Sequence, residues 1–112
     1  MLYIIVSKLF SKLKIRGVEF PNRLVLSPLC MYSAKDGIPN EWHFSHLSTF
    51  ARARIGCIFA EATAVREDGK ITPYCLGLWN NEQKNAFKSI VNFIKKMGSI
   101  PAFQLAHAGR KA

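Results

Sequence analysis

The chain is 112 residues long, 49% hydrophobic and 21% charged, which suits a packed domain and excludes a disordered or low-complexity segment. Sixteen Lys and Arg against seven Asp and Glu leave a formal charge of +9. The basic residues are spread from Lys8 to Lys111 without the aromatic interleaving of a single-strand binder, so nucleic acid is not an expected partner.

The apolar start, Leu2 to Val6, is shorter than a signal-peptide core and reads as a short packing segment or a start-site extension. No run approaches the ~20 apolar residues of a membrane span, so no membrane is expected either. Leu13 to Phe20 has the pattern of a small hairpin turning near Gly17, broken by Pro21 and Asn22. Leu24 to Leu26 is then a candidate buried strand, stopped at Ser27-Pro28 because proline lacks the N–H a ladder needs. After a loop rich in turn formers, His43 to Arg54 is helical, with Phe44, Leu47 and Ala51 at steps of three and four. Ile55 to Ala64 is almost continuously apolar, the mark of a parallel strand covered on both faces. The clearest helix is Glu82 to Met97, where Phe87, Ile90, Val91, Ile94 and Met97 share one face. Asn80 or Asn81 can cap it, Lys95 and Lys96 suit its negative end, and Gly98 can take a left-handed stop. Ile100 to Ala106 is a third strand.

Cys30, Cys57 and Cys75 are odd in number and lack a CxxC pair, which argues against zinc or a dithiol site and fits a reducing cytoplasm. His43 and His46 can share a helix face but find no further ligands, so no metal is expected. An alternating α/β fold with parallel strands follows from the element order. Strand ends about 35 to 45 residues apart approximate the repeat of an eightfold barrel, though a flavodoxin-like sheet would also allow them.

The distinctive stretches fall at strand ends, where α/β barrels place active sites. They are Ser27 to Ser33 (SPLCMYS), Glu61 to Val65 (EATAV) and Gln104 to Lys111 (QLAHAGRK). Together with Lys14 to Arg23 and Leu76 to Asn80, they resemble the cysteine-containing bacterial group of the Old Yellow Enzyme family. The resemblance covers Lys8 to Ala112. It implies the N-terminal portion of a (β/α)8 TIM barrel with a short hairpin before it, residues 1–112 forming an incomplete FMN-binding domain that leaves sheet edges exposed, including parts of Cys57 to Ala62 and Ala102 to Leu105.

The same resemblance implies an FMN-dependent oxidoreductase that takes hydride from NADPH and delivers it to an activated alkene such as an α,β-unsaturated carbonyl compound. Ser27, Pro28, Leu29 and Cys30 would line the flavin, with Cys30 near its reactive edge. Tyr32 would face the substrate and donate a hydrogen bond or proton. Ala62 would meet the flavin ring with its backbone, and Gln104, as a buried glutamine, would read the pyrimidine edge with donors and acceptor. The family's later substrate-holding pair and phosphate loops have no counterpart here, so the chain alone is expected to be inactive, and homo-oligomers are expected only for a full-length protein. His107 suits packing as well as substrate contact. A non-catalytic remnant or a small basic interaction module is the alternative.

Overall fold

In the computed structural model, which describes residues 7–112, the chain opens with the expected hairpin; Leu2 to Val6 lie outside the described residues. Strands β1 (Leu13–Ile15) and β2 (Val18–Phe20) pair antiparallel, Leu13 opposite Phe20 and Ile15 opposite Val18. The turn's left-handed residue is Arg16, at φ 55°, rather than Gly17.

The main sheet is built around one long strand. Strand β3 (Val25–Leu26) runs parallel to β4 (Cys57–Ala64), with Val25 opposite Cys57. On the other edge, β6 (Ile100–Ala106) follows β4 in parallel from Cys57 opposite Ile100 to Ala64 opposite Ala106. A short strand absent from the sequence-based expectation, β5 (Leu76–Gly77), joins β4 in parallel at Thr63 and Ala64. Because β6 occupies one edge of β4 throughout, β3 and β5 share the opposite edge, one at its start and one at its end.

Helix α1 (Glu41–Arg52) begins two residues before the apolar pattern does. Its start is written in polar atoms. The Asn40 side chain accepts the Trp42 N–H at 3.0 Å, and the Asn40 N–H donates to His43 Nδ1 at 3.0 Å. This is a capping box with histidine in the place usually held by Glu or Gln. The helix ends at Arg52, and Arg54 turns left-handed at φ 63° before β4. Arg54 also ties the loops at the amino ends of the strands together, accepting from Asn22 Nδ2 at 2.9 Å and donating from Nη1 to the Met97 carbonyl at 3.1 Å.

Helix α2 (Asn81–Lys96) matches its reading closely. Asn80 Oδ1 accepts the Gln83 N–H at 2.9 Å, and Gly98 closes the other end at φ 89°. Phe87, Ile90 and Ile94 of α2 pack with Leu47 and Ala51 of α1, Ile58 and Ala60 of β4, and Leu76 of β5. Full burial of a large apolar side chain of this kind contributes about 1.5–3 kcal/mol.

One expectation needs correcting. Parts of β4 were expected to stay exposed, yet seven of its eight residues are buried, because neighbours line both its edges and the helices cover the face carrying Ile58 and Ala60. The exposure falls on β6 instead: Gln104 is exposed and Leu105 is 61% exposed. Among the described residues, no helix is long and apolar enough to cross a membrane.

Candidate active site

The pairing of β4 with β6 is interrupted once. Ala60 stands opposite Phe103 and Ala62 opposite Gln104, so Glu61 is an extra residue, a β-bulge. Ala62 and Gln104, both expected to meet the cofactor, are thereby cross-strand neighbours. Glu61 is turned inward and only 4% exposed. Its Oε1 accepts the Met31 N–H at 3.3 Å and lies 3.7 Å from His43 Nε2 on α1.

The loop after β3 brings the other expected residues to the same place. Ser27 and Leu29 are exposed, Pro28 and Cys30 half-buried. Loss of solvent pushes the Cys30 thiol above its ordinary pKa, and the Ala62 backbone amide pulls it back. Weaker upward pushes come from Glu61 and Cys75, and the Tyr32 hydroxyl acts downward. The thiol therefore lies against the Ala62 backbone and beside the Tyr32 phenol. Tyr32 is 47% exposed and left-handed at φ 50°. Its own pKa is raised, first by the nearby Cys30 and then by desolvation, so the phenol keeps its proton through the neutral range. The backbone around it is pinned: Ser33 Oγ donates to the Met31 carbonyl at 3.0 Å, and Asn40 Nδ2 donates to the Ser33 carbonyl at 2.7 Å.

Gln104 was expected to be buried. It is exposed, because its face of β6 carries no covering layer among the described residues. No hydrogen bond among the described residues engages its side-chain amide. An exposed amide next to a small, buried alanine, with a thiol on the adjoining backbone, fits the edge and face of a flat heteroaromatic group. A depression of 580 Å³ opens past the end of β4, lined by Val65, Arg66, Glu67, Asp68 and Trp79. Cys30, Ala62 and Gln104 do not line it.

A family model described as NADH:flavin oxidoreductase / NADH oxidase matches residues 8–112. The chain belongs to this family. It is 49% identical over 108 residues to an NADPH dehydrogenase of Listeria welshimeri, covering 95% of this chain and 32% of that protein. The chain thus spans about a third of the length of that relative. Among solved structures it resembles an Old Yellow Enzyme from Pichia sp. AKU4542, with a TM-score of 0.87 and 27% identity over 95% of this chain and 28% of the other. It also resembles morphinone reductase in complex with tetrahydroNAD, with a TM-score of 0.84 and 28% identity over 96% of this chain and 29% of the other. The α/β barrel reading therefore holds, the described strands and helices corresponding to a part of the flavin oxidoreductase barrel.

Within this family member, the three histidines have separate settings. His43 is 1% exposed, and burial pushes its pKa down, with His46 adding to the push. His46 stacks edge-on against Phe50, ring centroids 5.2 Å apart. His107 packs over Gly69, where an added Cβ would come within 2.7 Å of its Cδ2, and its Nδ1 accepts the Gly109 N–H at 3.0 Å. Among the described residues, no three His, Cys, Asp or Glu side chains gather as metal ligands. Sequence reading missed Glu61 and His43 as a pair. A carboxylate inside the apolar run Ile55 to Ala64 is the one signal that could have pointed to it, since a buried acid needs a partner.

Proposed function

We propose that the chain forms part of the flavin pocket of an FMN-dependent oxidoreductase that takes hydride from NADPH and delivers it to an activated alkene, such as an α,β-unsaturated carbonyl compound. The placement of the Cys30 thiol, in the loop after β3 and beside the Ala62 backbone, with the Gln104 amide on the neighbouring parallel strand, is the observation that carries this reading. FMN, when bound, supplies the hydride-transfer chemistry. Ser27, Pro28 and Leu29 would lie along it. Ala62 presents only a methyl group, which lets a ring approach the strand backbone, and Gln104 offers both donor and acceptor to a pyrimidine edge. Cys30 would set the polarity at the reactive edge. Tyr32, protonated and exposed, would donate to the substrate's carbonyl oxygen and help place its proton. The name borne by one relative, an NADPH dehydrogenase, supports NADPH as the hydride source, and a reductase solved with tetrahydroNAD supports a nicotinamide dinucleotide in that role. The free thiols of Cys30, Cys57 and Cys75 suit a cytoplasmic setting.

The test joins this chain to the remaining two thirds of the Listeria welshimeri relative. The hybrid should purify yellow and oxidise NADPH with a cyclic enone as acceptor, and Gln104→Leu should lower its flavin content. A folded hybrid that carries no flavin would overturn the assignment. The 112-residue chain alone should take up FMN only weakly in a fluorescence titration.

A further inference from the structure

We propose that Glu61, backed by His43, is a positioning residue for Cys30 and Tyr32: its carboxyl closes a ring of polar contacts that holds the turn carrying both side chains. The ring can be followed atom by atom. Glu61 Oε1 accepts the Met31 N–H at 3.3 Å, the Met31 carbonyl accepts Ser33 Oγ at 3.0 Å, and the Ser33 carbonyl accepts Asn40 Nδ2 at 2.7 Å. The Asn40 N–H then donates to His43 Nδ1 at 3.0 Å, and His43 Nε2 returns to Glu61 Oε1 at 3.7 Å. Tyr32 sits at the centre of this circuit, in a left-handed conformation unfavourable for a tyrosine. A strained residue persists where its surroundings over-determine it, and here Met31 and Ser33, on either side of it, are both tied into the ring.

The identity of the closing pair follows from the tautomer. His43 Nδ1 lies 3.2 Å from Asn40 Oδ1 as well, but the Asn40 N–H can only donate, which assigns Nδ1 as its acceptor and the ring proton to Nε2, the nitrogen nearer Glu61. Among the described residues, neither His43 Nε2 nor Glu61 Oε2 meets a hydrogen-bond partner, and both are buried. The 3.7 Å separation exceeds a hydrogen bond, so the ring closes through a longer polar contact between two buried groups. Burial drives the Glu61 carboxyl up, against a downward pull from the Met31 amide, and the His43 imidazole down, both toward their neutral forms. The other titratable groups around the pair are Cys30 and Tyr32 above it, Cys75 before β5, and Glu41 and His46 on α1. The bulge turns Glu61 to α1 and leaves the next residue, Ala62, in register with Gln104. One irregularity thus serves both the turn and the strand surface. The catalytic meaning of the clamp rests on the flavin reading above, whereas its test reads the thiol and the amides directly and stands whether or not flavin binds.

Three forms of the chain decide the matter. Glu61→Gln keeps an acceptor for Met31 and removes the charge; Glu61→Leu removes both. Iodoacetamide labelling of Cys30, followed by peptide mass spectrometry across pH with Cys57 and Cys75 as buried controls, gives the thiol's titration. In Glu61→Gln, where the carboxylate that opposes the thiolate is gone, the profile should move to lower pH and labelling at neutral pH should rise about threefold. In Glu61→Leu the Met31 amide should exchange hydrogen about tenfold faster, while Glu61→Gln stays within about twofold of the parent. A folded Glu61→Leu chain with parental Met31 exchange and a parental Cys30 profile would overturn the proposal. If that variant unfolds, Ser33→Ala opens the ring away from the core. Faster Met31 amide exchange then upholds the clamp, and unchanged exchange with an unchanged Cys30 profile defeats it.

Discussion

Replacing Asn40 with alanine removes two separate supports, and their sizes can be worked out from the contacts. The side-chain oxygen caps α1 through the Trp42 N–H, and the side-chain nitrogen tethers the Ser33 carbonyl. Loss of an asparagine cap costs about 1 kcal/mol, and loss of one hydrogen bond to a half-buried carbonyl about another 1 kcal/mol. The backbone N–H bond to His43 survives the change. A deficit of about 2 kcal/mol, at roughly 4–8 °C per kcal/mol for a domain near this size, lowers the unfolding midpoint by about 8–16 °C. Asn40→Asp separates the two supports, because aspartate still caps and adds a charge worth about 0.3–1 kcal/mol at the positive end of the helix, but cannot donate to Ser33. Its midpoint should fall between those of the parent and Asn40→Ala. Thermal unfolding followed by circular dichroism at 222 nm in dilute solution is the assay. An Asn40→Ala midpoint within about 2 °C of the parent, or an Asn40→Asp midpoint below that of Asn40→Ala, would refute the reasoning.

Gly69→Val should drive the loop after β4 off His107 and weaken the Ala108 N–H bond to the Gly69 carbonyl, 2.9 Å in the parent; faster proteolysis in the tail from His107 onward is expected, and unchanged cleavage would count against the close approach. The His43 imidazole is depressed from 6.5 by burial, so the stability it contributes is full above that pH and is lost as pH falls through its lower folded value. Glu61, raised from 4.5, works in the opposite sense, losing its contribution as pH rises through its folded value. His43→Gln should therefore show a smaller drop in urea midpoint between pH 7 and pH 5.5 than the parent does, and equal drops would contradict this. Leu105, 61% exposed on β6, makes a sticky surface next to an outer edge that is unpaired among the described residues. The chain should associate with rising concentration in sedimentation velocity, and Leu105→Lys should reduce the association; identical behaviour of the two would place the contact elsewhere.

How much could be read beforehand varied with how local the cause was. Helix α2 was legible almost to the residue, because its apolar stripe and both its caps lie within its own sequence. Helix α1 was read two residues late, because its first turn is defined by Asn40 and His43 rather than by apolar spacing. The parallel set β3, β4 and β6 was legible from apolar runs and punctuation, whereas Leu76–Gly77 became a strand only through a partner thirteen residues earlier at Thr63. At the site, motif resemblance picked Cys30, Ala62 and Gln104, and the fold brings them together. The exposure of Gln104 depends on which layers cover β6, and the ring through Glu61 depends on a bulge that exists only once β4 is paired. Neither is a property of local sequence.

Because Glu61 is the unmatched residue of the ladder, the pairing of Ala62 with Gln104 does not need it. Deleting it would straighten the ladder and keep Ala62 opposite Gln104, while the turn would lose its carboxyl. No series of point substitutions arrives at that arrangement, while a single change of length reaches it at once. A three-base deletion at the Glu61 codon would thus strip the turn of its support in one generation and leave the strand surface standing.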